Sequence, residues 1–214
     1  MAIRLLPYRQ YDEQDVVNLF SYGDAPNGKP SVSSKADAGV LVKVSASDLS
    51  APPVEYLSSH SLLGKTDYPH VARNGYPQVP LKVVAAGVDS DALGITLNQT
   101  CTHDENDENL LRYPQKKAEL FAVTSGEAVP IATKGIFTFD EKAIASWEGT
   151  DGVVSDGVNV WAGAAADGKI AIVNDKPTHP VGKVLGAGKR TAQTEGDQFA
   201  GSGSAFYAVI KLDL

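Results

Sequence analysis

The chain has 214 residues, 43% apolar and 21% charged, which is long enough for a large core and too apolar for a disordered segment. Its net charge of −7 comes without any cluster of Lys and Arg, so nothing favours a phosphate-backbone partner. The single cysteine, Cys101, excludes an intrachain disulfide and a CxxC zinc pair.

The N-terminus, MAIRLLPYRQYDEQD, has no apolar stretch of the kind that opens a secretory signal, because Pro7, Tyr8 and Arg9 follow Leu5-Leu6 at once. No window approaches the length of a membrane helix, and no membrane partner is expected. Residues 1–22 read as an arm. Within it, DEQDVVNLF fits a short helix capped by Asp12, with Val16, Leu19 and Phe20 at helical spacing. It also fits a strand, since Val and Phe favour strands, and the extended form is preferred here. Residues 23–38 are a polar Gly/Pro/Ser/Asn linker.

A single β domain is predicted over 39–214. Its first strand, GVLVKVSA, alternates, with Val40, Val42 and Val44 on one face and Leu41 and Lys43 on the other. Residues 47–80 carry five prolines, including the pairs Tyr68-Pro69 and Tyr76-Pro77, and read as an irregular excursion. Nine short strands follow: 81–87, 93–99, 119–125, 129–133, 135–140, 158–163, 169–174, 181–186 and 205–214. Turn signals separate them, among them Asp151-Gly152, Asp156-Gly157 and Asp167-Gly168. A short helix at 116–120 is defensible but not needed. No βα alternation appears, so the fold class is all-β, a barrel or sandwich of short antiparallel strands.

Motifs that carry chemistry fail on their spacing. In LGAGKRT (185–191) the phosphate-loop pattern is broken at Lys183 and Arg190, and a Gly-rich turn between strands is expected instead. THDENDEN (102–109) offers oxygen ligands, yet the calcium-loop pattern would need Gly and Glu where Asn109 and Gln115 stand, leaving an irregular calcium site or a solvated acidic loop. His60, His70, His103 and His179 lie too far apart for a zinc pattern. Cys101 and His103 would share a strand face without a third orienting group, and GSGS (201–204) lacks the spacing of a nucleophile elbow. No catalytic residue, metal ligand or cofactor site is therefore assigned. Trp147 and Trp161 suit core packing, an interface or a glycan platform. The candidate interface residues are Arg4, Tyr8, Arg9, Tyr11 and Phe20, because Arg and aromatic residues are favoured in interfaces and an arm must dock on its own domain or on a neighbour.

The opening MAIRLLPYRQYDEQDVVNLFSY and the stretch LGITLNQTCTHDENDENLLRYPQKKAELFAVTSGEAVPIATKGIFTF resemble capsid decoration (cement) proteins of tailed phages, especially those of cyanobacterial and marine hosts. The C-terminal half, with VGKVLG and FYAVIKLDL, is similar to the small β-barrel of many phage cement proteins. The resemblance implies a non-enzymatic virion protein on the outer capsid surface, with the major capsid protein and copies of itself, as a trimer or dimer, for partners. A glycan- or host-surface-binding β module, built on Trp147, Trp161 and the acidic loop, is the alternative. Deleting residues 1–22 is expected to weaken capsid binding or oligomerisation and to leave the β domain folded.

Overall fold

The structure is a computed structural model that describes residues 4–23, 36–45, 81–190 (except 105, 107, 111, 125, 149–152 and 156) and 205–214. The predicted excursion at 47–80, most of the linker and the GSGS run lie outside the described residues.

The first segment supplies β1 (Leu5–Gln10), β2 (Val16–Val17) and β3 (Ser21–Tyr22). Then come β4 (Leu41–Val44), β5 (Lys82–Ala85), β6 (Gly94–Thr96) and β7 (Gln99–Thr100). A short helix, α1 (Pro114–Glu119), precedes β8 (Ala122–Val123), β9 (Ile131–Ala132), β10 (Lys134–Asp140) and β11 (Ile144–Trp147). The chain ends with β12 (Trp161–Ala164), β13 (Ile170–Val173), β14 (Pro180–Arg190) and β15 (Ala205–Asp213). The fold is all-β.

A seven-stranded sheet runs β1-β10-β15-β14-β12-β13-β11, and a six-stranded sheet runs β2-β9-β6-β4-β5-β3. β7 and β8 form a separate pair. Most neighbours are antiparallel, as expected, but β3/β5, β11/β13 and β7/β8 are parallel. Residues 131–140 pass from one sheet to the other at Thr133, which also ties the two ends of the chain together. Its amide and hydroxyl both donate to the Asp15 carbonyl, at 2.9 and 3.0 Å, and its own carbonyl accepts from the Leu214 amide.

The main core lies between the sheets. Phe137, Phe139, Ile170, Ile172, Ile210 and Leu212 of the larger sheet meet Leu41, Ile95 and Ala132 of the smaller. A second cluster joins Tyr22, Val40, Val42, Val83, Val129 and Ile131, from four strands of the smaller sheet and their flanks. The smaller sheet thus curls about its own far face. An isolated bridge between Ser21 and Ala128 and a bond from the Val129 amide to the Phe20 carbonyl bring β3 back to the segment leading into β9. Burial on both faces explains a departure from the alternation read in GVLVKVSA. Val40, Leu41 and Val42 are all buried, and Val44 is exposed.

The Asp-Gly signal at 167–168 does mark a hairpin. Asp167 and Gly168 take left-handed φ values of 59° and 64° between β12 and β13. The tip then inserts against the other sheet: the Gly168 amide donates to the Ala86 carbonyl, and a Cβ on Gly168 would collide with Val40 and lie 2.7 Å from the Leu41 carbonyl oxygen. Gly168→Val combines overpacking with an unfavourable backbone, at a cost of about 3 kcal/mol. It is expected to lower the melting midpoint by roughly 10 °C; an unchanged midpoint in calorimetry would contradict this placement.

The LGAGKRT glycines are not in a turn. Gly186 and Gly188 sit inside β14, and at Gly188 the missing side chain admits β15: a Cβ there would lie 2.8 Å from the Tyr207 hydroxyl, while at Gly182, earlier in the same strand, one would strike the Lys211 carbonyl. The helix at 114–119 overlaps the defensible one, with Pro114 at its first position, where a missing amide costs nothing.

Candidate functional site

The five residues proposed as an interface separate in the structure. Arg4 is not available to a partner. It is 4% exposed, its Nε lies 3.9 Å from the Asp37 carboxylate, and its Nη1 donates to the Asp167 carbonyl at 3.3 Å. The arginine therefore joins the first segment, the lead-in to β4 and the β12–β13 tip. Phe20 is half-buried and packs against the second core cluster. An apolar side chain near an amphipathic pattern reads the same from sequence whether it faces a partner or its own core.

Tyr8, Arg9 and Tyr11 remain on the surface. Tyr8 is 78% exposed on β1, the edge strand of the larger sheet. The Arg9 guanidinium lies 5.9 Å from the Tyr11 ring centroid, and Tyr11 stacks on buried Phe137 with centroids 5.6 Å apart and planes 16° apart. Packing on a rigid core ring fixes the Tyr11 side chain, and the cation–π contact fixes Arg9 upon it. Leu19, 61% exposed, belongs to the same segment and was not singled out from sequence. Strand addition along β1 is discouraged by Pro7, which has no amide, and by a register shift between Leu5 and Arg9. What this edge presents is side chains.

Within the acidic run the described carboxylate of Asp104 is bound internally rather than solvated. Asp104 is buried, and its Oδ1 accepts from the amides of Asn106 and Glu108 at 2.9 and 2.8 Å. Its Oδ2 accepts from Lys116 of α1 at 3.1 Å, and Lys116 also pairs with Glu108. The carboxylate is thus consumed in folding its own loop. Lys117 and Glu127 make a second pair, at 2.6 Å, that fastens α1 to the lead-in of β9. Among the described residues no group of three or more His, Cys, Asp or Glu is placed to hold a metal. Asp104→Ala strands two amides and a lysine, and is expected to cost about 2–3 kcal/mol; denaturant titration of the variant measures it.

Cys101 is buried with Leu110 and Ala122, and burial pushes its thiol up to about 11. His103 Nδ1 instead contacts the Thr102 hydroxyl at 3.0 Å. A thiol held protonated by an apolar pocket is a packing residue, so the Cys–His arrangement carries no nucleophile. His179 is exposed, and His60 and His70 lie outside the described residues.

The two tryptophans lie on opposite faces of the larger sheet. Trp147 packs against the main core and 6.4 Å from the Phe206 ring. Trp161 precedes Ala162, whose side chain is in that core, so it points outward. A glycan platform made of both, together with the acidic loop, is therefore not formed. No family model, curated protein or solved structure matches this chain. Among the described residues no helix is long and apolar enough to cross a membrane.

Proposed function

We propose that this chain is a non-catalytic structural protein that decorates the outer surface of a tailed-phage capsid, binding the major capsid protein and copies of itself. The observation that carries the reading is the exposed Tyr8–Arg9–Tyr11 edge, in which Arg9 and Tyr11 are held in place. It presents aromatic and guanidinium groups, the residue types that dominate binding energy, with Tyr11 held on the buried Phe137 ring and Arg9 upon it. The resemblance of the first 22 residues and of the 93–139 region to cement proteins points the same way. The mode of contact differs from a loose arm laid along a neighbour. Here the segment is part of the body, and its exposed side chains do the docking. Many copies, each with a modest interface, then stabilise a lattice collectively.

The test is co-sedimentation with empty capsids of the phage that encodes the chain. Saturation at a fixed ratio to capsid subunits is expected. Replacing Tyr8 and Arg9 together by Ala should weaken binding by about 30-fold or more, corresponding to roughly 2 kcal/mol at an interface anchor. Both side chains are exposed, so thermal stability should not change. Undiminished binding by the double variant would remove this edge from the interface, and failure of the wild type to saturate would sink the capsid role.

A further inference from the structure

A second feature stands apart from the capsid reading, on the outward face of the larger sheet. Across three neighbouring strands the register sets Trp161 of β12 opposite Lys183 of β14, and Lys183 opposite Lys211 of β15. Residues directly opposed on one face lie about 5 Å apart, and like charges so placed repel. Lys176, from the β13–β14 connection, completes the group. Its Nζ is 5.5 Å from the Trp161 ring centroid, and the Lys183 Nζ is 4.9 Å from it.

The connection is held in this position by shape. Gly163, two residues beyond Trp161, has no side chain, and Pro177 sits where one would be, 3.3 Å from the missing Cβ. At the start of the connection, the Asn174 amide donates to Glu148 at 2.7 Å and its side-chain oxygen accepts from the Asn159 amide at 2.7 Å. Lys176 is therefore carried over the indole by an anchored loop. Elsewhere on the sheet lysines find acids, as Lys134 finds Asp213 at 3.7 Å. Among the described residues Lys176, Lys183 and Lys211 have no carboxylate within that reach. Two cations over one half-buried indole and a third beside them on the next strand, in a chain of net charge −7, form a local reversal of charge with no salt-bridged carboxylate among the described residues.

We propose that Trp161, Lys176, Lys183 and Lys211 bind an acidic sugar, one bearing a carboxylate or a sulfate. The ammonium groups take the oxyanion, and the indole supplies the apolar wall against which a sugar ring packs its C–H groups. A long polyanion such as nucleic acid is disfavoured, because the rest of the surface repels it.

The experiment follows the Trp161 indole N–H resonance by NMR, assigned with a Trp161→Phe variant, during titration of the full chain. The ligands are galacturonic acid, galactose 6-sulfate, neutral galactose, inorganic sulfate and a short DNA oligonucleotide, all at matched ionic strength. Saturable shifts are expected with the two acidic sugars and none with galactose. Lys183→Gln combined with Lys211→Gln should weaken acidic-sugar binding by about tenfold or more. Absence of a saturable shift with both acidic sugars, or equal binding by the double variant, overturns the site. Inorganic sulfate binding as tightly as the sulfated sugar overturns the sugar assignment, and tighter binding of DNA overturns the ligand class. Capsid binding uses the Tyr8 edge and serves as an independent readout.

Discussion

Removal of residues 1–22 is expected to abolish the cooperative fold. The segment provides β1 at one edge of the larger sheet and both edges, β2 and β3, of the smaller. With it go Leu5 and Val16 from the main core, Tyr22 from the second, and buried Arg4 and Ser21. Losing it opens three strand edges at once and leaves Asp37 without its guanidinium. Each is destabilising, and open edges also invite aggregation. Near-ultraviolet circular dichroism and denaturant titration should show no sharp transition. A truncated protein that unfolds cooperatively would restore the idea of a detachable arm. This expectation replaces the one drawn from sequence, that the β domain survives the deletion, and point substitutions at Tyr8 and Arg9 are the informative test of binding.

The second large effect centres on Asp37. Its carboxyl is 3% exposed, and its Oδ2 accepts no hydrogen bond. Burial pushes it up to about 6, against the opposing pull of Arg4. A carboxyl whose folded value exceeds its unfolded value of 3.8 favours the fold when protonated. Its stabilising contribution is complete below about pH 4 and is lost as pH rises through 6. Arg4→Met removes the cation that makes ionised Asp37 tolerable, and should cost about 3 kcal/mol at pH 7. At pH 4, with Asp37 protonated, the loss should shrink towards that of the hydrogen bond to Asp167. Asp37→Asn should flatten the difference profile between pH 4 and 6. Urea titrations of the three proteins at pH 4, 5, 6 and 7 measure both, and an Arg4→Met penalty independent of pH would show that the charge pair contributes nothing.

Strand positions were legible wherever alternation or a turn signal had a single cause. The Asp167-Gly168 turn, the terminal strand and the strands at 135–140 and 169–174 follow from residue pattern alone. β11 was missed because Ala145 and Ser146 are exposed on an edge, which gives IASW the look of a loop. The LGAGKRT glycines were read as a turn, when they continue β14 and Gly188 answers to a tyrosine approaching from β15, a partner with no mark in the local sequence. The parallel pairs were equally invisible. At the candidate sites, Tyr8, Arg9 and Tyr11 were proposed by residue type, and the structure leaves them on the surface. Arg4 was misread for the same reason: a buried arginine and a docking arginine differ only in where Asp37 lies. Strand register brings Lys183 to Trp161 and Lys211 to Lys183, and the connection before β14 brings Lys176 over the ring, none of which the local sequence marks.

The placement of β10 between β1 and β15 bears on how the molecule is made. Leu5 finds its mate in Phe139, and Phe137 finds Ile210, so one side of the main sheet is assembled from remote stretches of polypeptide. Closing such loops comes before any reward from packing, which places the molecule among slow folders. Until β1 and β15 both arrive, Phe137 and Phe139 stand uncovered on a naked strand. Synthesis at high copy number would then reward dilution, low temperature or a chaperone during that interval.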